Sequence, residues 1–225
     1  MEDGKAVNKL RVLYEDNHVI VVVKEKNVLS QADNTHDIDM LTIIKKYLKE
    51  KYNKPGNVYL GLVHRLDRPV SGIMVFAKTS KAASRLSDQV RKKEIKKTYM
   101  AVVKGIIKKD EDTFVDYLLK LDNGNTIVTT KDKGKESVLT YKVLKRNYEK
   151  NETLVSIDLK TGRHHQIRVQ LSNFGHSIFG DQKYGTRGQG KQMALWAYKL
   201  TIEHPISKEK MTFTDLPDTV GTWCN

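Results

Sequence analysis

Cysteine is almost missing from this chain of 225 residues. Its one thiol, Cys224, is the next-to-last residue, so no internal disulfide can form, as suits a reducing cytosol. Long apolar runs are missing too. The longest aliphatic run is residues 19–23, far short of the roughly 20 apolar residues a membrane-spanning helix needs. The opening Met1-Glu2-Asp3-Gly4-Lys5 lacks the apolar segment of a secretory signal. These absences predict a soluble, cytoplasmic protein with no membrane partner. Acid is scarce relative to base: 27 Asp+Glu against 40 Lys+Arg, a formal net charge of +13. Such a surplus favours polyanions by neutralising phosphates and releasing counterions. Composition by itself does not separate nucleic acid from an acidic membrane or from plain solubility. No internal repeat, low-complexity tract or linker interrupts the sequence. Hydrophobic residues make up 39%, enough for a core.

Residues 10–23 read as strand, turn, strand, with Glu15-Asp16-Asn17 as the turn and residues 18–23 β-branched and buried. Residues 37–51 read as a helix that Asp37 or Asp39 can cap, with Leu41, Ile44 and Leu48 at helical spacing. Residues 73–77 form an apolar strand. Ser80 then caps a helix whose Ala83, Leu86 and Val90 share a face. Residues 98–103 read as a strand, and residues 105–150, rich in Lys, Asp and Asn, as short exposed hairpins. Residues 138–143 and 154–159 alternate as half-buried strands do. Residues 164–174 read as a helix with Ile167 and Leu171 inward, stopped by Gly175; residues 194–202 and 211–213 are late strands. Strands and helices mix without regular βαβ alternation, so the expected class is α+β.

Four segments could carry chemistry. Gly61-Leu62-Val63-His64-Arg65-Leu66-Asp67-Arg68-Pro69-Val70-Ser71-Gly72 sets one acid among cations at the mouth of a strand. Nearby positive charge favours the ionised form of a carboxylate, which can act as nucleophile or base. An ordinary Arg–Asp tie at a strand entrance is the competing reading. Leu159-Lys160-Thr161-Gly162-Arg163-His164-His165-Gln166-Ile167-Arg168-Val169-Gln170 ends a strand, turns at Gly162 and opens a helix whose free N–H groups suit phosphates. On that helix His164 and Arg168, four apart, would share a face; a solvated basic face is the alternative. Adjacent His164 and His165 diverge on a helix, which argues against a metal site there. Lys96-Lys97-Thr98-Tyr99-Met100-Ala101-Val102-Val103 carries a strand tyrosine that could stack on a base or simply pack. Gly175-His176-Ser177-Ile178-Phe179-Gly180-Asp181-Gln182-Lys183-Tyr184-Gly185 marks tight loops and by itself identifies no reaction.

Taken together and in order, these segments resemble the RluA family of pseudouridine synthases. His64-Arg65-Leu66-Asp67-Arg68 with Ser71-Gly72 is similar to the family's aspartate motif, and Lys97-Thr98-Tyr99 to its tyrosine motif. Thr161-Gly162-Arg163-His164-His165-Gln166-Ile167-Arg168 resembles the arginine motif, and Gly180-Asp181 with Tyr184-Gly185 the loop after it. Leu13-Tyr14-Glu15-Asp16 through Val23-Lys24, and Leu29-Ser30-Gln31, resemble the family's opening. The resemblance spans about residues 13–217 and has three departures: Val70 in place of threonine, Glu25 in place of proline and Gln170 in place of histidine.

The resemblance implies one α+β catalytic domain over residues 1–225, built on a mixed, largely antiparallel sheet with flanking helices and without a separate amino-terminal RNA-binding domain. It implies action on structured RNA, ribosomal or transfer, with no cofactor and no metal, and the compact single-domain pattern points to a monomer. Asp67 takes the role of catalytic carboxylate, and Arg168 would pair with it and keep it ionised and aimed. Tyr99 would stack on the uracil. Arg65 would enter the space left by the flipped base, and Arg163 and His164 would contact RNA. Two alternatives stand beside this reading: an RNA-binding protein on the same scaffold without catalysis, and a metal-dependent nuclease using Asp67, His64 and Asp181.

Overall fold

The computed structural model describes residues 10–186, 188, 192–218 and 223. Cys224 and the Met1-Glu2-Asp3-Gly4-Lys5 opening lie outside the described residues. The chain divides into two compact units, one of residues up to Lys92 plus Glu203–Lys210, the other of Lys93–Ile202 plus the residues from Met211 on.

The first unit is organised around two strands buried on both faces. β1 (Val12–Glu15) pairs antiparallel with β2 (Val19–Lys24), and β2 pairs antiparallel with β4 (Ser71–Ala77). The short β3 (Gly61–Leu62) also pairs antiparallel with β4. Every residue of β2 and β4 is buried, which is why both read as unbroken apolar runs rather than alternating ones. Burying each such Val or Ile contributes roughly 1.5–3 kcal/mol. Helix α1 (Met40–Lys51) buries Met40, Ile44 and Leu48 and is capped by Asp39, whose carboxylate accepts from the Leu41 and Thr42 N–H groups. Asp37, the other cap candidate, pairs instead with Arg68 at 2.7 Å. Helix α2 (Ser80–Arg91) is capped by Thr79, not Ser80, and buries Ala82, Leu86 and Gln89. The inward face is thus one position from that expected. Gln89 lies on it because its amide answers main-chain groups of Glu203.

The second unit is a run of strands in the order β10, β5, β9, β8, β6, β7. Its strands are β5 (Lys96–Lys104), β6 (Glu111–Lys120), β7 (Thr126–Thr129), β8 (Lys135–Asn147), β9 (Glu152–Leu159), β10 (Leu195–Glu203) and β11 (Lys210–Thr214), the last pairing with β10. The pairs β10–β5, β5–β9, β9–β8, β8–β6 and β6–β7 are antiparallel. The expected short hairpins of residues 105–150 are in fact long strands, β8 alone running 13 residues. Their outer residues are half-exposed and polar, which hides them from composition. The inner positions Ser137, Leu139 and Tyr141 of β8 alternate with solvent-facing ones, as do Thr153, Val155 and Ile157 of β9. Helix α3 (Gln166–Asn173) starts two residues later than expected, because His165 takes left-handed backbone angles (φ 53°) just before it. His164 therefore precedes the helix and shares no helical face with Arg168. The class is α+β. None of the described helices is long and apolar enough to cross a membrane.

Candidate active site

Asp67 lies in the loop between β3 and β4, and the main chain is held on both sides of it. On one side, Ser30 Oγ accepts from the Leu66 N–H at 3.1 Å and donates to the Leu66 carbonyl at 2.7 Å. On the other, the Arg68 carbonyl accepts from Lys24 Nζ at 3.0 Å and from the Asn27 N–H at 2.9 Å. The Asp67 carbonyl itself accepts from the Val70 N–H at 3.0 Å, closing a turn, and Val70 is buried. His64 is buried, and its Nε2 accepts from the Val75 N–H at 3.1 Å. It therefore anchors the loop to β4. The Asp67 side chain is half-buried, and Arg65 beside it is exposed.

Lys24 is fully buried and donates to the carbonyls of Glu25, Val28 and Arg68 at 2.7–3.0 Å. Burial pulls its ammonium down to about 7, while the charges of Asp67 and Glu25 pull the other way and Arg68 adds to the fall. Lys24 and Ser30, which appear in the sequence only as part of an opening pattern, hold the main chain on either side of Asp67. Their signal was a polar residue inside an apolar opening segment.

In the second unit, Tyr99 is at the middle of β5, flanked in register by Ile157 of β9 and Ala197 of β10, and is 6% exposed. Thr161 Oγ1 accepts from the Val138 N–H at 2.8 Å and donates to Gln166 Oε1 at 2.8 Å. Gln166 Nε2 donates to Gln170 Oε1, and Gln170 Nε2 to Asp116 and to the Ser137 carbonyl. This buried amide chain ties α3 to β6 and β8. Arg163 is exposed, with Nε donating to the Glu136 carbonyl at 3.1 Å. His164 Nδ1 meets Thr126 Oγ1 at 2.9 Å.

Arg168 is 6% exposed and, within this unit, is gripped by Asp181: Nε donates to Oδ2 at 2.7 Å and Nη2 to Oδ1 at 2.8 Å. Burial would raise the Asp181 carboxyl, but hydrogen bonds and charge from Arg168, with N–H donors of Lys183 and Tyr184, outweigh it and hold it low. The sequence reading gave Asp181 no such part. Among the described residues, no group of three or more His, Cys, Asp or Glu side chains is placed to share a metal ion.

The sequence profile of the RNA pseudouridylate synthase family matches residues 18–173, which hold the Asp67 loop, Tyr99 and Arg168. The chain is 35% identical over 217 residues to the dual-specificity RNA pseudouridine synthase RluA of Haemophilus influenzae, covering 93% of this chain and 94% of that protein. It is 36% identical over 177 residues to the ribosomal large subunit pseudouridine synthase C of Buchnera aphidicola (subspecies Acyrthosiphon pisum), covering 78% of this chain and 54% of that one. The chain thus spans about half the length of the Buchnera relative. Among solved structures, human RNA pseudouridylate synthase domain containing 1 shares the fold with a TM-score of 0.78 at 22% identity, over 99% of this chain and 89% of that one.

Proposed function

Because the chain belongs to the RNA pseudouridylate synthase family, and within it to the RluA type, we propose that it isomerises uridine to pseudouridine in structured RNA, ribosomal or transfer, with residues 1–225 serving as one catalytic domain. In that reaction the bond from C1′ to N1 of uracil breaks and a bond from C1′ to C5 forms. The hydrogen on C5 is lost and N1 gains one, so there is no redox change and no water is consumed. Asp67 is the reacting carboxylate, attacking ribose or base. Arg168 is the cation that serves it, and Tyr99 is the ring that stacks on the uracil. A base inside a duplex is out of reach of such a group, so the uridine is flipped out, and Arg65 enters the space it leaves. Arg163 and His164 contact the RNA. The net charge of +13 supplies the attraction to phosphate.

The observation that carries this reading is the loop around Asp67. The main chain is fixed at Leu66 by Ser30 and at Arg68 by Lys24 and Asn27, so the carboxylate has a defined origin. Such fixing is what a reacting group needs to be presented in one geometry. The test is to incubate the protein, with and without a chelator, with bulk RNA from cells lacking its gene, and to assay for pseudouridine and for strand breaks. New pseudouridine in intact RNA is expected. Binding without product favours a non-catalytic RNA-binding protein, and chelator-sensitive cleavage favours a nuclease. Either result removes the proposal.

A further inference from the structure

Asp181 has no part in the roles just assigned, yet it is buried and accepts hydrogen bonds on both carboxylate oxygens. Its side chain is 1% exposed and Arg168's is 7% exposed. Oδ1 takes Arg168 Nη2 and also the N–H groups of Lys183 (2.9 Å) and Tyr184 (3.1 Å), while Oδ2 takes Arg168 Nε. The loop is shaped to make this possible. Gly180 has φ +76°, and a Cβ there would lie 2.1 Å from the Gln192 carbonyl oxygen; a Cβ on Gly185 would lie 2.6 Å from that of Asp181. The tight turn leaves no room for side chains at either end.

The same turn delivers Tyr184. Its ring centroid is 5.0 Å from Arg168 Cζ, within the range of a cation–π contact. The ring is in turn fixed at its hydroxyl, which accepts from the Thr126 N–H at 2.9 Å and meets His165 Nδ1 at 2.7 Å. The His165 contact holds the hydroxyl from a second side, with the hydrogen between the two set by the imidazole tautomer. Burial first, then the charges of Arg168 and His164, hold His165 down to about 3, so the ring stays neutral beside the guanidinium. The left-handed backbone at His165 (φ 53°) directs its ring to Tyr184, with the two centroids 5.4 Å apart.

We propose that Asp181 and Tyr184 are positioning residues for Arg168: the carboxylate takes the Nε–Nη2 edge and the ring packs on the guanidinium, leaving one orientation in which it can serve the reacting carboxylate. The proposal deepens the functional reading above and rests on it. Two of the five guanidinium hydrogens are committed to Asp181, so Arg168 meets any further partner through the remaining three. A lysine at this position could not be held in the same way, because a point charge has no edge to grip. A purely structural ion pair would contribute to stability without making turnover depend on the fork, so the two roles separate by experiment.

The experiment uses the full chain in excess over bulk RNA from cells lacking the gene. The maximal single-turnover rate of pseudouridine formation reports the reaction, and the protein concentration at half-maximal rate reports affinity. The variants are Asp181→Asn, Tyr184→Leu, Arg168→Lys and the double variant Asp181→Asn/Arg168→Lys. Asp181→Asn should lower the maximal rate by about 100-fold and move the half-saturating concentration by less than about 3-fold. In the Arg168→Lys background the same substitution should cost less than about 3-fold, because the fork it fixes is already gone. An Asp181→Asn rate within about 3-fold of wild type, or an equal loss in both backgrounds, overturns the proposal. If Asp181→Asn does not fold, Tyr184→Leu decides: about a 10-fold fall in rate at unchanged half-saturation is expected, and a rate within about 2-fold overturns the proposal. A wild-type chain that forms no pseudouridine overturns the functional reading and this inference with it. An active wild type with an unaffected Asp181→Asn overturns the inference alone.

Discussion

The Asp67 loop and the Arg168 cluster are fixed by opposite means. Around Asp67 the protein holds main-chain atoms: the N–H and carbonyl of Leu66 by Ser30, and the carbonyl of Arg68 by Lys24 and Asn27. Around Arg168 it holds the side chain itself, along one edge by Asp181 and across the ring of Tyr184. The first arrangement sets where the Asp67 carboxylate begins, as the role proposed for it requires. The second fixes a cation in place, as the role proposed for Arg168 requires. The burial matches: Asp67 is half-buried and Arg168 is buried. Holding one residue through its backbone and the other through its side chain is a difference that single substitutions can probe.

Asp67→Asn goes furthest. It keeps the loop and removes the carboxylate, so pseudouridine formation should fall by at least about 10³-fold while RNA is still retained in a gel shift. Near-normal turnover by pure, folded Asp67→Asn would place the chemistry elsewhere. Arg168→Lys comes next. With the charge kept and the fork lost, the rate should fall by about 10–100-fold at unchanged affinity. If instead the rate holds and RNA binding weakens with a flatter salt dependence, Arg168 is a phosphate contact.

Ser30→Ala tests the main-chain side of the comparison. It removes both bonds to Leu66 from a hydroxyl that is 6% exposed. The stability loss in a urea titration should be about 1–3 kcal/mol, with turnover down by several-fold although Asp67 is untouched. Unchanged turnover with the expected stability loss would show that fixing Leu66 does not fix the carboxylate.

Glu15→Gln is the control, an acid of the first unit fixed by charge and outside the proposed chemistry. Burial raises the Glu15 carboxyl, but hydrogen bonds from Lys51, Lys78 and Tyr52 outweigh it and hold it at about 2. Because the folded value lies below the unfolded one, the stabilisation is complete above the ordinary glutamate range. It is lost as pH falls from about 4.5 toward 2, and amounts to roughly 2–3 kcal/mol. Turnover at neutral pH should be unaffected. Urea titrations from pH 5 to 2 should show a shallower decline for Glu15→Gln than for wild type, and parallel declines would remove Glu15 as a source of acid sensitivity.

The parts of the fold that could be read from the sequence share one property: local chemistry determined them. Residues 19–23 and 73–77 are apolar because both faces of β2 and β4 are buried. Asp39 caps α1 as its position suggests, through bonds two and three residues away. The aspartate and arginine motifs were visible because their residues are adjacent in the chain. The parts that could not be read depend on distant partners. Asp181 is 13 residues past Arg168, on a loop with no periodicity to indicate that it turns back. Tyr184 reaches Thr126 across 58 residues. The late start of α3 follows from the left-handed backbone at His165, an uncommon conformation for any non-glycine residue that the residue type alone does not place there. The long strands of residues 111–147 were obscured by the polar residues on their outer faces.

The segment Glu203–Lys210 belongs to the first unit although it follows the whole of residues 93–202. It carries the acceptors for Arg85 and Gln89, at the Pro205 and Glu203 carbonyls, and His204, which meets Asp16 at 2.8 Å. A chain synthesised only as far as residue 92 is therefore a module still waiting for its last piece. That piece arrives only after residues 93–202 have been synthesised, so the unit that begins the chain stays incomplete until residue 210 is in place. Nascent chains cut between residues 93 and 202 should leave α2 and the β1–β2 turn open to proteases, and extension past residue 210 should close them.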